Sequence, residues 1–276
     1  MPSPMIPAAE ETTAPELAQE TPSGRLRRAR DKEPLFVPGE PNWVVWQAGR
    51  AAARMTFFHY FRLESHGAHH VPVDGPVVMV PNHPSYLDPW IAAFGFARWA
   101  TWMAWEAAFS WPVFGKVITQ FGAFPINTER PRPSTFKAAA ALLEQGGLLG
   151  IFFEGQRSMG FGVDPPRRGA ARIALQTGVP VVPVSITGLR RIWPRGGVPR
   201  PGRVVVHYHP PIDAGSYHKG LAMGAREERL NAELVATIGS VLRPDGRAWP
   251  PPHRARPISE PHRRMPRPAK LKNPRR

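Results

Sequence analysis

The chain has 276 residues, no cysteine and a formal net charge of +15 at pH 7. The lack of cysteine excludes disulfides, thiolate metal sites and a cysteine nucleophile. Because 42% of the residues are apolar, the chain can bury a core of ordinary domain size, which excludes a fully disordered protein.

Both ends of the chain are predicted to be disordered. Residues 1–41 are rich in Pro, Ala and Thr without apolar periodicity, and residues 243–276 carry nine prolines and eleven Lys or Arg against two acids. The basic tail favours an anionic lipid surface. No helix-turn-helix, zinc-finger or RNA-binding signature supports specific nucleic-acid binding. The first residues lack the charged-then-apolar pattern of a signal peptide, so we do not expect secretion.

Residues 42–63 are predicted to form an amphipathic, membrane-facing helix. Gln47, Arg50 and Arg54 lie three to four positions apart, on a different face from the Trp, Phe, Val and Met side chains. Such an apolar face packs either on the domain core or in the head-group layer of a membrane. No run of about 18 or more residues is free of charge in the manner of a spanning helix. We therefore expect a peripheral protein on the cytoplasmic face of the membrane.

Strands and helices alternate through the rest of the predicted domain, which covers residues 42–242. The apolar runs predict strands at Val77–Val80, Ala100–Trp105, Ala123–Ile126, Leu148–Phe153 and Val181–Ile186, and a sheet edge at Arg203–Tyr208. Helices are predicted at 90–98, Ser110–Phe121, Ser134–Gln145 (with Ser134 as N-cap), Gly169–Thr177 and Glu227–Leu242. This alternation predicts an α/β domain with a mixed central sheet flanked by helices.

The most informative motif follows the first of these strands. Asn82 and His83 come shortly after Val80, and Asp88 stands five positions after the histidine. A carboxylate beside an imidazole is the minimal general-base unit. Because five positions on a helix are about 500° apart in rotation, His83 is expected in the turn before the helix. Asp88 precedes Pro89 and is also a candidate N-cap, and one side chain can serve both purposes.

Two further polar segments follow predicted strands. Asn127–Arg132 comes after Ile126, and Glu154-Gly155-Gln156-Arg157-Ser158 comes after Phe153. Because sites in α/β sheets gather in the loops after strands, we expect these segments to share a crevice with His83. The alternative for Glu154 and Arg157 is a surface ion pair of little energetic value.

Four blocks together resemble the glycerolipid acyltransferases typified by 1-acylglycerol-3-phosphate (lysophosphatidate) acyltransferase. Asn82-His83-x4-Asp88 is similar to the first motif of that family, 122–126 to the second, 152–158 to the third and 178–184 to the fourth. The resemblance spans roughly 43–242. It implies the fold of that family, with His83 as general base and Asp88 orienting it.

The same resemblance implies the residues that bind the acceptor: Asn82, Arg130, Arg132, Glu154, Gly155, Arg157 and Ser158. Arg157 is expected to face phosphate, and Glu154 to order the loop or bind a hydroxyl. The second block departs from the family, because Asn127 and Thr128 stand where arginine is common. Arg130 or Arg132 is expected to reach in instead. Arg167 and Arg168 are candidates for donor phosphate or membrane lipid.

The implied reaction transfers a fatty acyl group from acyl-CoA or acyl carrier protein to the free hydroxyl of the lysophospholipid 1-acylglycerol 3-phosphate, giving phosphatidate, with no metal or cofactor. Two alternatives stay open: the same chemistry on another lysolipid, glycolipid or amino-lipid, and a non-catalytic basic lipid- or nucleic-acid-binding protein. The sequence lacks a Gly-x-Ser-x-Gly elbow, a phosphate-cradling Gly-x4-Gly-Lys loop and paired metal-spaced histidines. Serine hydrolase, nucleotide hydrolase and zinc enzyme are therefore excluded.

Overall fold

Eight strands form one mixed sheet in the computed structural model, which describes residues 48, 49, 51, 52, 55, 59–96, 98–194 and 196–248. The strands are β1 Leu63–His66, β2 Val77–Pro81, β3 Ala100–Trp105, β4 Phe124–Ile126, β5 Leu148–Gly150, β6 Pro180–Thr187, β7 Val204–Tyr208 and β8 Ile212–Asp213. Their order is β1-β7-β6-β2-β5-β3-β4, with β8 beside β6. Strands β6, β2, β5, β3 and β4 run parallel, whereas β7 and β8 run antiparallel to β6, and β1 runs parallel to β7. The predicted mixed α/β class is confirmed.

Six α-helices whose bounds lie wholly within the described residues flank the sheet. They are α1 Asp88–Ala92, α2 Phe114–Gln120, α3 Pro133–Glu144, α4 Arg168–Thr177, α5 Leu189–Ile192 and α6 Met223–Gly239. Short 3-10 turns at Ala68–His70 and Glu106–Ser110 complete the connections. All described residues belong to one compact unit.

The central strand β2 is buried along its whole length, as expected for a parallel strand covered on both faces. Its side chains alternate between the two faces. Met79 packs with Trp102 and Val184 on one face. Val78 and Val80 pack on the other face, among residues of α3, α4 and α6. This packing fixes where β2 ends, and therefore where the loop carrying His83 begins.

Several predicted boundaries need correction. The helix predicted at 90–98 ends at Ala92, because the Tyr208 hydroxyl donates to Ala92 O at 2.8 Å and accepts from Gly95 N at 3.1 Å. Helix α3 begins at Pro133 and follows Arg132, so Ser134 is not its N-cap. The strand predicted at Leu148–Phe153 ends at Gly150, which leaves both of the following phenylalanines in the loop.

The prediction of a sheet edge at Arg203–Tyr208 is wrong. Strand β7 lies inside the sheet, because β1 pairs along its outer side. Arg203 contributes to this pairing from just before the strand: its Nε donates to Glu64 at 2.7 Å. Strand β1 has four residues and one apolar side chain, Leu63, so no periodicity marks it in the sequence.

Most of the predicted end segments lie outside the described residues. Of the helix predicted at 42–63, residues 48, 49, 51, 52, 55 and 59–61 are described and helical, and β1 begins at Leu63. The segment 1–41 and the tail from 249 onward lie outside the described part. Within it, no helix is both long and apolar enough to cross a membrane.

Candidate active site

His83 and Asp88 form a hydrogen-bonded pair in the loop between β2 and α1. Nδ1 of His83 lies 2.7 Å from Oδ2 of Asp88. The same oxygen accepts the backbone N–H of Ser85 at 2.7 Å. Asp88 is therefore not the N-cap of α1, since its carboxylate bonds back into the preceding loop and α1 follows Leu87 without a side-chain cap. In neutral His83, this contact leaves the lone pair of Nε2 as the proton acceptor.

The imidazole of His83 is also held by its face. The ring of Phe152 stacks on it with centroids 3.9 Å apart and planes inclined by 14°. Phe152 in turn stacks on Trp102 at 5.1 Å. These contacts fix the ring plane, while 17% of the His83 side chain stays exposed to solvent. Phe152 belongs to the third block of the resemblance, but no sequence signal indicated that it stacks on His83.

Asp88 is a buried carboxyl group. Burial raises the pKa of Asp88, and the hydrogen bonds from His83 and from the Ser85 N–H act in the opposite direction, as does the charge of Arg157. Its Oδ1 has no hydrogen-bond partner among the described residues. The charge of Asp88 therefore depends on a small number of neighbours, of which His83 is the first.

Glu154 joins the third motif to the first. Its Oε1 accepts the backbone N–H of His83 at 3.3 Å, and its Oε2 accepts the Ser158 hydroxyl at 2.5 Å. The backbone N–H of Ser158 donates to the carbonyl of His83 at 2.8 Å. Burial raises the pKa of Glu154 to about 7, against the effect of its hydrogen bonds from Ser158 and His83. The side chains of Glu154 and Ser158 are both buried and both hydrogen-bonded. They therefore hold the loops of the first and third motifs together.

The side chain of Asn82 is engaged with strand β6. Its Nδ2 donates to Ile186 O at 3.1 Å, and its Oδ1 accepts Ile186 N–H at 2.7 Å. The side chain is buried. Both halves of the amide therefore serve the backbone, and this geometry favours a structural role over the substrate contact expected from the resemblance.

Arg157 contacts the first motif directly. Its guanidinium lies over the ring of Tyr86 at 3.7 Å from the centroid. Tyr86 belongs to the first motif and is 47% exposed. Arg157 itself is half-buried beside the His83 loop.

The two arginines of the second motif, Arg130 and Arg132, differ in their contacts. Arg132 pairs with Glu106 at 3.6 Å. Arg130 is exposed, and its guanidinium has no partner in the described part of the chain. Asn127 orders the loop: its Nδ2 donates to Glu106, and its Oδ1 accepts the backbone N–H of Arg130 at 2.8 Å. No described contact joins Arg130 to the first motif.

Arg167 connects the second and third motifs. Its backbone N–H donates to Phe153 O at 2.7 Å, and its Nη1 donates to Thr128 O at 3.1 Å. Between these two points its side chain crosses over Gly155, where an added Cβ would clash with Cδ of Arg167. Gly155 has φ +70°, a conformation that glycine adopts readily.

The three motif loops leave one edge of the sheet and the third contacts His83, whereas a crevice shared with the second-motif loop stays a prediction. Strands β2, β5, β3 and β4 are parallel, so the loops after β2, β5 and β4 leave the same edge. The chemistry available there is proton transfer at Nε2 of His83, with buried carboxyl groups behind it and guanidinium groups at the surface. Among the described residues, no group of three His, Asp or Glu side chains is arranged to hold a metal ion.

Comparison with known proteins gives a consistent result for the central part of the chain. Residues 62–187 match the family model described as Acyltransferase. A 1-acyl-sn-glycerol-3-phosphate acyltransferase of Brassica napus, BAT2, chloroplastic, is 31% identical over 165 residues, which is 58% of this chain and 48% of that protein. A protein of the same name from Bacillus subtilis is 31% identical over 120 residues, 43% of this chain and 59% of that protein.

One solved structure supports the same likeness. The 1-acyl-sn-glycerophosphate acyltransferase PlsC from Thermotoga maritima superposes with a TM-score of 0.56 at 25% identity, over 69% of this chain and 78% of that chain. The chain spans about half the length of the first curated relatives it matches.

Proposed function

We propose that this chain, in which residues 62–187 form a domain of the Acyltransferase family, transfers a fatty acyl group from an acyl thioester to the free hydroxyl of 1-acylglycerol 3-phosphate. The observation that carries the proposal is the 2.7 Å contact between His83 Nδ1 and Asp88 Oδ2, which leaves Nε2 of the neutral imidazole to accept a proton. The names of the relatives support the choice of acceptor.

In this mechanism, Nε2 of His83 takes the proton of the acceptor hydroxyl as its oxygen attacks the thioester carbonyl. The carbon–sulfur bond of the tetrahedral intermediate then breaks, and the imidazolium returns the proton to the leaving thiolate. The carboxylate of Asp88 stabilises the imidazolium between the two steps. Because a thioester is already reactive, holding the two substrates close supplies much of the remaining rate.

Arg157 is the proposed contact for the acceptor phosphate near the base, since a guanidinium binds phosphate through paired N–H groups. Glu154 and Ser158 hold the loop that presents Arg157. The acyl donor is acyl-CoA or acyl carrier protein; both are acidic, which suits the net charge of +15. We further propose that the protein acts on the cytoplasmic face of a membrane as a peripheral protein, where its lipid acceptor resides.

A second candidate acceptor follows from the second motif. Asn127 and Thr128 stand where family members often have arginine, and Arg132 is paired with Glu106. A different lysolipid, a glycolipid or an amino-lipid would keep the same reaction at His83. Turnover with such an acceptor, and none with 1-acylglycerol 3-phosphate, would favour this alternative.

The test is acyl transfer by the purified full chain. The donors would be labelled oleoyl-CoA, labelled palmitoyl-CoA and a labelled acyl chain on acyl carrier protein, each with a panel of acceptors. The proteins compared would be the wild type, His83→Ala and the matched control His69→Ala. His69 is an exposed histidine of a 3-10 turn outside the site. We expect turnover with 1-acylglycerol 3-phosphate, a loss of about 10²–10⁴-fold in kcat for His83→Ala, and near wild-type activity for the control. A folded protein without turnover on any pair would contradict the proposal and favour a binding protein.

A further inference from the structure

The loop of the second motif receives a guanidinium from elsewhere in the chain. Asn127 and Thr128 leave this loop without the arginine that the resemblance leads one to expect, yet Nη1 of Arg167 donates to Thr128 O at 3.1 Å. The two residues are separated by 39 positions in sequence. A guanidinium therefore lies beside Thr128, one of the two positions where the resemblance leads one to expect arginine.

The path of Arg167 toward that loop is fixed at both ends. Its backbone N–H is held by Phe153 O at 2.7 Å, and its guanidinium is held by Thr128 O. The aliphatic part of the side chain lies against Gly155. Gly155 directly follows Glu154, and Oε1 of Glu154 accepts the backbone N–H of His83. Arg167 is thus linked to the proposed base, His83, through Gly155 and Glu154.

The guanidinium of Arg167 has donors left for a ligand. A guanidinium has five N–H donors, of which Thr128 O takes one. The residue is exposed, and no carboxylate in the described part of the chain lies within ion-pair distance of it. Its neighbour Arg168 differs, because it pairs with Glu228 at 3.6 Å.

We propose that Arg167 binds the phosphate of the acceptor in place of the missing second-motif arginine, and that residue 155 has to be glycine because Arg167 crosses it. This inference rests on the proposed function and assigns Arg167 a role in acceptor specificity. Arg157 meets the phosphate from the side of the first motif, and Arg167 from the side of the second.

The kinetic test compares Arg167→Ala and Arg167→Lys with the control Arg229→Ala, which removes an exposed arginine of α6 outside the site. The acceptors are 1-acylglycerol 3-phosphate and a monoacylglycerol that lacks the phosphate. We expect Arg167→Ala to raise KM for the phosphorylated acceptor about 10- to 100-fold, the range for one lost charge-assisted contact. For Arg167→Ala, activity toward the monoacylglycerol should stay within about twofold, and Arg229→Ala should resemble the wild type on both acceptors. Equal loss on both acceptors would overturn the specificity role.

A binding measurement separates failure of this inference from failure of the proposed function. Glycerol 3-phosphate is a soluble probe of the headgroup site, and its affinity for the wild type and each variant can be measured by calorimetry without turnover. Binding that disappears in Arg167→Ala, in a protein that transfers no acyl group, would keep the phosphate site and reject the reaction. Equal binding by Arg167→Ala and the wild type would overturn the inference, whatever the activity.

The role of Gly155 is tested by a double-mutant cycle. A Cβ at residue 155 displaces Arg167, so Gly155→Ala should weaken glycerol 3-phosphate binding by itself. In an Arg167→Ala background the same change should have little further effect on that binding, because there is no side chain left to displace. Thermal unfolding of all four proteins corrects for the backbone strain at positive φ. Independent, additive losses of affinity would contradict the proposed crossing.

Discussion

At the scale of single residues, the imidazole of His83 is held from several directions at once. Asp88 fixes Nδ1, Phe152 fixes the ring plane, and the backbone of His83 is bonded to Glu154 and Ser158. Such pre-organisation means that little reorganisation is required when a proton is transferred. The pair thus has the geometry of a general base before any substrate is bound.

The charge of Asp88 can be tested without changing its shape. Asp88→Asn keeps an oxygen that can accept from the Ser85 N–H and from His83 Nδ1, but it cannot stabilise an imidazolium. We expect kcat to fall about 10²–10⁴-fold, as for orienting carboxylates in comparable pairs. The measurement is steady-state acyl transfer beside Asp164→Asn, since Asp164 also accepts a backbone N–H, that of Met159. A loss below about tenfold in Asp88→Asn would show that Asp88 is mainly structural.

At the scale of elements, the site is a set of loops tied to one another across the sheet edge. Asn82 links the end of β2 to β6, and Ser158 links the third motif to His83. Arg190, on α5 directly after β6, donates both ends of its guanidinium to the carbonyls of Ser158 and Met159. The third-motif loop is therefore held from two sides.

Removing the Arg190 contacts should loosen that loop without touching the reacting atoms. We expect Arg190→Ala to lower kcat/KM about 10- to 100-fold, because small misplacements of a positioned group are costly. We also expect a loss of about 1–3 kcal/mol in the free energy of unfolding, since two carbonyls lose their donors. Kinetics and urea unfolding would be compared with Arg191→Ala, since among the described residues the Arg191 side chain makes one hydrogen bond, to Asp245 O at 3.4 Å. Wild-type kinetics in Arg190→Ala would contradict the positioning role.

At the scale of the whole molecule, two buried titratable groups give opposite pH dependences of stability. Burial raises the pKa of Glu154 to about 7 from 4.5. Burial lowers the pKa of His209 to about 4 from 6.5, and the neighbouring His207 and His70 act in the same direction. His209 bonds to Ser185, whose hydroxyl donates to Ile238 O of α6.

The signs of the two contributions differ. Protonated Glu154 stabilises the fold below about pH 4.5, and this stabilisation is lost as the pH rises through about 7. Neutral His209 stabilises the fold above about pH 6.5, and this stabilisation is lost as the pH falls through about 4. The two slopes therefore oppose each other in the mildly acidic range.

Isosteric variants should expose these slopes. Relative to the wild type, Glu154→Gln should gain about 3 kcal/mol between pH 4 and pH 8, and His209→Gln should gain a similar amount between pH 7 and pH 4. The measurement is the free energy of unfolding from urea titrations at pH 4, 5.5, 7 and 8. Parallel pH profiles for the wild type and both variants would show that neither group changes its pKa on folding.

How much of the molecule the sequence predicts depends on the distance over which the determining interactions act. The apolar runs of β2, β3, β4 and β6 are local signals, and their positions are confirmed to within one or two residues. The placement of His83 before α1 is equally local, because two side chains five positions apart, such as His83 and Asp88, cannot share one face of a helix. In contrast, β1 carries little apolar signal, and its pairing with β7 depends on the rest of the sheet.

The sequence by itself determined the α/β class, the turn that pairs His83 with Asp88, and the resemblance to the glycerolipid acyltransferases. The match of residues 62–187 to the Acyltransferase model agrees with that resemblance. The disordered ends, the membrane-facing helix and the peripheral location stay predictions. Only the tertiary structure decided that Asn82 serves β6, that Phe152 stacks on His83, and that Arg167 reaches Thr128. The physical reason is that periodicity and turn chemistry act over a few residues. Contacts between residues tens of positions apart depend on strand order, which no local pattern specifies.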